Sequence, residues 1–181
     1  RLLRDKGVME YVEAARRVRA ERPDAQFRIL GAVDAANRTA IDRATVDGWI
    51  AEGVIDYRGT ADDVRPEIAA AHCVVLPSYR EGAPRTLIEA AAMARPLIAT
   101  DVPGCRAVID AGRTGLFCSV RDGADLARAC REFLALPLAE KRAMGQGGRQ
   151  KMAAEYDQRL VVAAYTSAIA DVTGRFQSSL F

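Results

Sequence analysis

The sequence has few aromatic residues and almost no imbalance of charge. Aromatic side chains make up 6% of its 181 residues, and 26 basic side chains nearly offset 24 acidic ones, for a net charge of +2. Proteins that bind nucleic acid normally show a basic stripe with aromatics among it. The composition therefore argues against nucleic acid as a partner.

Long apolar runs and closely spaced cysteines are also missing. No stretch approaches the roughly 18 apolar residues that a membrane helix needs. The opening residues RLLRDKG lack the apolar region of a signal peptide. The four cysteines, Cys73, Cys105, Cys118 and Cys130, have no CxxC spacing. We expect reduced thiols in a cytoplasmic protein, without a zinc site or a disulfide framework.

What is present is typical of one globular domain. Half of the residues are hydrophobic and 28% are charged, and the length suits a single core. The first residue is not Met, and the sequence opens on a charged loop. We interpret residues 1–181 as a domain excised from a longer protein.

Hydrophobic periodicity predicts strands that alternate with helices. Helical patterns cover GVMEYVEAARRVRAERP, RTAIDRATVDGWIAEG, ADDVRPEIAAA, PRTLIEAAAMA and GCRAVIDAG, while QFRILG, VIDYRG, CVVLPS, PLIATD and TGLFC are strand-like. Three more helices are predicted over residues 122–136, 138–156 and 158–171, before a frayed tail. Such alternation predicts an α/β fold, a doubly wound, Rossmann-like parallel sheet of about six strands with helices on both faces and a helical C-terminal extension.

Ligands bind such sheets at the carboxyl ends of the strands. Three loops are expected there: the opening loop with Arg1, Arg4 and Lys6, the GAVD loop with Gly31, and the loop SYREGAPRT. In the third loop, Pro84 suits the first turn of a helix and Gly82 allows a close backbone approach.

The helix start after SYREG forms a predicted anion site. Free amides at a helix N-terminus attract negative charge, and here they belong to Ala83, Arg85, Thr86 and Leu87. With the basic opening loop nearby, a diphosphate fits. Glu81 and Glu89 flank this site and are suited to the hydroxyls of a sugar and of a ribose. Together these groups describe a nucleotide sugar.

The same residues resemble a known family. EGAPRTLIE is similar to the E-x7-E motif of the retaining glycosyltransferases of family 4 (group 1), which have the GT-B fold, and RLLRDKG resembles that family's GRL…KG loop. The longer stretch LPSYREGAPRTLIEAAAMARPLIATDVPGCRAVI is similar to the branch that builds capsule, O-antigen or lipid-linked sugars. The resemblance covers the chain as a C-terminal, donor-binding domain without the N-terminal acceptor domain.

The resemblance implies a role for each matching residue. Arg1 and Lys6 would bind the diphosphate and Glu81 the donor sugar, which makes these three the catalytic set. The implied donor-binding residues are Gly31 and Arg58 near the base, Glu89 at the ribose, and Gly82, Ala83, Pro84, Arg85 and Thr86 around the phosphates. No metal or other cofactor is implied. The donor would be a UDP-hexose or UDP-N-acetylhexosamine, transferred with retention to a polysaccharide or lipid-linked acceptor, with peripheral membrane contact in the full-length enzyme.

Some features leave alternatives open. Ala94 and Ala107 stand where the family often has glycine and glutamate. Arg85 could face phosphate or pair with a nearby acid, and His72 is expected to be structural. A glycogen-synthase-like or phospholipid mannosyltransferase role competes, with ADP or GDP sugars as donors. A non-catalytic nucleotide-binding or regulatory module is the alternative outside the enzymes, whereas the missing GxGxxG argues against a dehydrogenase.

Overall fold

The computed structural model describes residues 1–33 and 36–178 and confirms the alternation of strands and helices. The helices are α1 (Val8–Glu21), α2 (Arg43–Ala51), α3 (Arg65–Ala70), α4 (Arg85–Ala92), α5 (Pro103–Val108), α6 (Gly123–Ala135), α7 (Leu138–Glu155) and α8 (Gln158–Ser178). The strands are β1 (Arg28–Ile29), β2 (Asp56–Tyr57), β3 (Val74–Leu76), β4 (Leu97–Thr100) and β5 (Gly115–Cys118). None of the described helices is both long and apolar enough to cross a membrane.

The strands form two parallel sheets instead of one. β1 pairs with β2, and β3, β4 and β5 pair in that order. Within the described ranges, the five apolar segments identified in the sequence account for all strands, so the predicted count of about six was too high. The two sheets share a hydrophobic core, to which Ile29 of β1 and Ile98 of β4 both contribute, but they do not share a ladder of backbone hydrogen bonds.

Helices cover both faces of the three-stranded sheet, as predicted. Alternate residues of β4 point in opposite directions: Ile98 joins the core that contains α1 and α6, while Leu97 and Ala99 join the core that contains α4 and α5. A strand that is covered on both faces needs apolar side chains at every position. This requirement explains why three successive residues of β4, Leu97, Ile98 and Ala99, are all apolar.

Several predicted helix boundaries were wrong, with the largest differences at the second and the last helix. The second helix begins at Arg43 and not near residue 38, because Asp42 caps it by accepting a hydrogen bond from the amide of Thr45. The preceding residues instead bond to the opening loop, where the amide of Arg4 donates to the Thr39 carbonyl. The last helix continues to Ser178, beyond the predicted end at residue 171. Residues 179–181 of the predicted tail lie outside the described part.

Candidate functional site

The site is built around the loop that follows β3, residues 77–84. The opening loop holds it on one side, where the amide of Tyr79 donates to the Asp5 carbonyl at 2.9 Å. On the other side, the Thr100 hydroxyl at the end of β4 donates to the Ser78 carbonyl at 2.5 Å. Because parallel strands end at the same edge of a sheet, these contacts gather the predicted site loops in one place.

Gly7 allows the opening loop to approach this closely. Its φ of +70° is a left-handed conformation, and a Cβ atom there would lie 2.0 Å from the Pro77 carbonyl oxygen. Only glycine meets both conditions without strain. Gly7 therefore fixes the position of its neighbour Lys6 relative to the loop that carries Glu81.

Lys6 and Glu81, both assigned from the sequence, are in direct contact. The Lys6 ammonium donates to Glu81 Oε1 at 2.6 Å. The Lys6 side chain is 43% exposed, whereas that of Glu81 is only 11% exposed. A cation that solvent can reach thus lies against a nearly buried carboxylate.

The N-terminus of α4 presents free amides next to Glu81. In the described part of the chain, the amides of Ala83, Arg85 and Thr86 have no hydrogen-bond acceptor from the protein. The Leu87 amide was predicted to be free but donates to the Pro84 carbonyl at 2.9 Å. Pro84 itself is buried at the cap position, one residue before the helix and not in its first turn. Three amides therefore remain for an anion.

Glu89 and Arg85 lie one turn apart on the exposed side of α4. Arg85 Nη2 approaches Glu89 Oε1 to 3.5 Å, and the two side chains are 89% and 42% exposed. Of the two alternatives left open for Arg85, the structure has the pairing with a nearby acid. A surface ion pair of this length is weak, so it leaves the Glu89 carboxylate available to a ligand.

Arg58 and Gly31 follow the strands of the smaller sheet. Gly31 adjoins the opening loop, since a Cβ atom there would be 3.3 Å from the Arg1 nitrogen. Arg58 contacts acidic neighbours, at 3.2 Å from Glu67 and 3.5 Å from Asp56. The structure thus brings Gly31 to Arg1, while the Arg58 guanidinium is engaged by two carboxylates. Residue 34 of the predicted GAVD loop lies outside the described ranges.

Tyr79 anchors the site loop, and sequence reasoning missed it. Its hydroxyl donates to Glu10 Oε1 at 2.7 Å, and the Arg121 guanidinium lies 4.7 Å from the centre of its ring. Burial and the hydrogen bond to Glu10 raise the pKa of Tyr79 to about 12. No local motif could have indicated this cluster, because its members come from three separate elements.

The sequence assigned no role to Cys105. It follows Gly104 in α5, and Gly104 lies against the backbone of Glu81. Cys105 is fully buried. Burial, followed by the nearby negative charge of Glu81, raises the pKa of the Cys105 thiol to about 11. The thiol is therefore neutral at physiological pH and acts as a small packing group beside the site.

Residues 1–135 match the family described as glycosyl transferases group 1. The curated relatives include the glycogen synthase of Mycobacterium tuberculosis, 30% identical over 171 residues, which covers 91% of this chain and 39% of the relative. A D-inositol 3-phosphate glycosyltransferase of Paenarthrobacter aurescens is 33% identical over 139 residues, covering 74% of this chain and 33% of the relative. The chain therefore spans less than half the length of these relatives.

Solved structures have the same fold. Sucrose-phosphate synthase from Thermosynechococcus elongatus superposes with a TM-score of 0.79 at 26% identity, covering 95% of this chain and 43% of the other. The pneumococcal O-GlcNAc transferase in complex with UDP and GlcNAc has a TM-score of 0.74 at 22% identity, covering 96% of this chain and 34% of the other. The family match and these structures support one conclusion: the chain belongs to the group 1 glycosyltransferases, with a GT-B, Rossmann-like fold.

Proposed function

We propose that this group 1 glycosyltransferase chain is the donor-binding domain of a retaining enzyme and that its site holds a nucleotide sugar. The observation that carries the proposal is the contact of Lys6 with Glu81 beside the three free amides of α4. A cation and helix amides suit phosphate, and a neighbouring carboxylate suits sugar hydroxyls.

Each group has a distinct part in the proposed reaction. Lys6, with Arg1, binds the diphosphate and stabilises the charge that develops on it as the bond to the sugar breaks. The amides of α4 bind the same phosphates, and Glu81 orients the sugar. Glu89, farther along α4, accepts hydrogen bonds from the ribose. Since the cations and the helix dipole supply positive charge, the proposal requires no metal ion.

The proposed donor is a UDP-hexose or UDP-N-acetylhexosamine. The similar fold of the O-GlcNAc transferase, solved with UDP and GlcNAc, makes UDP the first nucleotide to test. The match to a glycogen synthase makes an ADP or GDP sugar the second candidate. The acceptor is a polysaccharide or lipid-linked sugar, bound through the part of the relatives that this chain does not cover. On this proposal the chain alone binds donor at the cytoplasmic side and transfers little.

The first experiment is isothermal titration of the 181-residue chain with UDP, GDP, ADP and NAD, without added metal. Selective binding of one nucleoside diphosphate supports the donor-domain proposal and identifies the base. Binding of NAD alone would contradict it and favour the nucleotide-binding alternative. Binding of none of the four would also count against it.

Glu89→Ala tests the ribose assignment. We expect UDP and UDP-sugar to lose affinity equally, by roughly 1–3 kcal/mol for a lost hydrogen-bond acceptor. The matched control is Glu132→Ala, which removes a helical carboxylate of similar exposure, 50% against 42%, whose Arg128 partner is one turn away. A loss confined to the UDP-sugar, or an equal loss in the control, would refute the assignment.

A further inference from the structure

We infer that Gly104, to which neither the sequence motifs nor the comparisons assign a role, positions Glu81 for the sugar of the donor. The inference rests on the proposed function and deepens it. Gly104 is a positioning residue, since it acts through the backbone of the site loop. Without a side chain at residue 104, the Glu81 carboxylate can reach Lys6.

The geometry around Gly104 leaves no room for a side chain. Gly104 is buried in the first turn of α5. A Cβ atom added there would lie 2.3 Å from the Glu81 carbonyl oxygen and 2.4 Å from that of Gly82. Real Cβ atoms essentially never come within 3.0 Å of heavy atoms beyond their own residue and its chain neighbours, and here the obstacle is backbone and not a flexible side-chain end. Any residue other than glycine must therefore displace the peptide of Glu81.

The loop cannot move away freely, because it is held on its other side as well. Pro77 lies against Gly7, and the Tyr79 amide is bonded to the Asp5 carbonyl. A Cβ at residue 104 would thus push the Glu81–Gly82 peptides while the start of the loop stays in place. The Glu81 carboxylate, which lies 2.6 Å from the Lys6 ammonium, should therefore be displaced with its backbone.

Gly104→Ala tests the inference through the ratio of two affinities. We expect the affinity for the UDP-sugar, divided by that for UDP, to fall roughly tenfold, since the loss of one charge-assisted hydrogen bond amounts to about a factor of ten. In a Glu81→Ala background the same substitution should change the ratio by less than about twofold, because the group it displaces is gone. An unchanged ratio in Gly104→Ala, or an equal drop in both backgrounds, overturns the inference.

The control is Gly48→Ala, at a helical glycine where the added Cβ would meet no atom within 4 Å beyond its chain neighbours and its own helix backbone. It should leave the ratio unchanged. If Gly104→Ala does not fold, Thr100→Val replaces it, because this change removes the hydroxyl that donates to the Ser78 carbonyl and releases the loop on the same side. It should lower the ratio in the same direction, and no change would overturn the inference.

Amide chemical shifts separate this inference from the proposed function. In Gly104→Ala without ligand, the amides of Glu81 and Gly82 should shift and those of α6 should not. If these shifts appear but the wild-type chain binds no nucleotide sugar, the proposed function has failed and the role at the sugar fails with it, while the positioning of the loop stands. If the shifts are absent, Gly104 does not position Glu81.

Discussion

The contact between Lys6 and Glu81 makes an unusual prediction about Glu81→Gln: the substitution should weaken binding of the nucleotide sugar yet strengthen binding of UDP. In the free protein the two charges neutralise each other at 2.6 Å. A diphosphate must take Lys6 from this pair, and it meets the negative charge of Glu81 as it does so. Glutamine removes both obstacles to UDP but is a poorer acceptor for sugar hydroxyls.

The size of each effect follows from exposure. Lys6 is 43% exposed, so solvent screens the pair and its coupling is about 1 kcal/mol, the upper end for exposed ion pairs. UDP should therefore bind about fivefold more tightly to Glu81→Gln. The nucleotide sugar should lose roughly 1.5–3 kcal/mol from the missing charged acceptor and regain about 1 kcal/mol from the broken ion pair, which leaves a net loss of roughly 0.5–2 kcal/mol.

Isothermal titration with UDP and the UDP-sugar, at two salt concentrations, measures both changes. The gain for UDP should shrink at high salt because screening weakens the original pair. Glu52→Gln is the matched control, since Glu52 pairs with Arg16 at an exposed position outside the site. If Glu81→Gln weakened UDP as much as the UDP-sugar, the assignment of Glu81 to the sugar would be wrong.

Two further predictions concern other charges. Lys6→Ala should reduce the affinity for UDP by roughly 1.5–3 kcal/mol and leave the affinity for uridine almost unchanged, since only UDP has phosphates. Isothermal titration with both ligands measures the two changes. An equal loss for UDP and uridine would contradict the assignment of Lys6 to the phosphates. The hydrogen bond from Lys151, then that from Arg113, lowers the pKa of Asp110. This stabilisation is present above the usual carboxyl pKa and is lost as pH falls through the lowered one. Asp110→Asn should therefore cost about 1 kcal/mol at pH 7 and flatten the decline of stability below about pH 4 in urea unfolding; an unchanged acid profile would refute this.

Features that depend on nearby residues could be predicted from the sequence. The alternation of strands and helices follows from periodicity, and the free amides of Ala83, Arg85 and Thr86 follow from a helix start after Gly82 and Pro84. Both depend on a few consecutive residues, whose backbone conformation and free donors are set locally. Even here the boundary of α2 was missed, since residues 39–41 pair with the distant opening loop.

The sequence by itself determined which groups exist and which helix end presents amides, because these are matters of residue type and local spacing. The tertiary structure decided which distant charges meet: Lys6 and Glu81 are 75 residues apart. It also decided the division into two sheets and the contact of Gly104 with the Glu81 peptide. These depend on how separate elements pack to bury their apolar faces, and no short stretch of sequence contains both partners of such a contact.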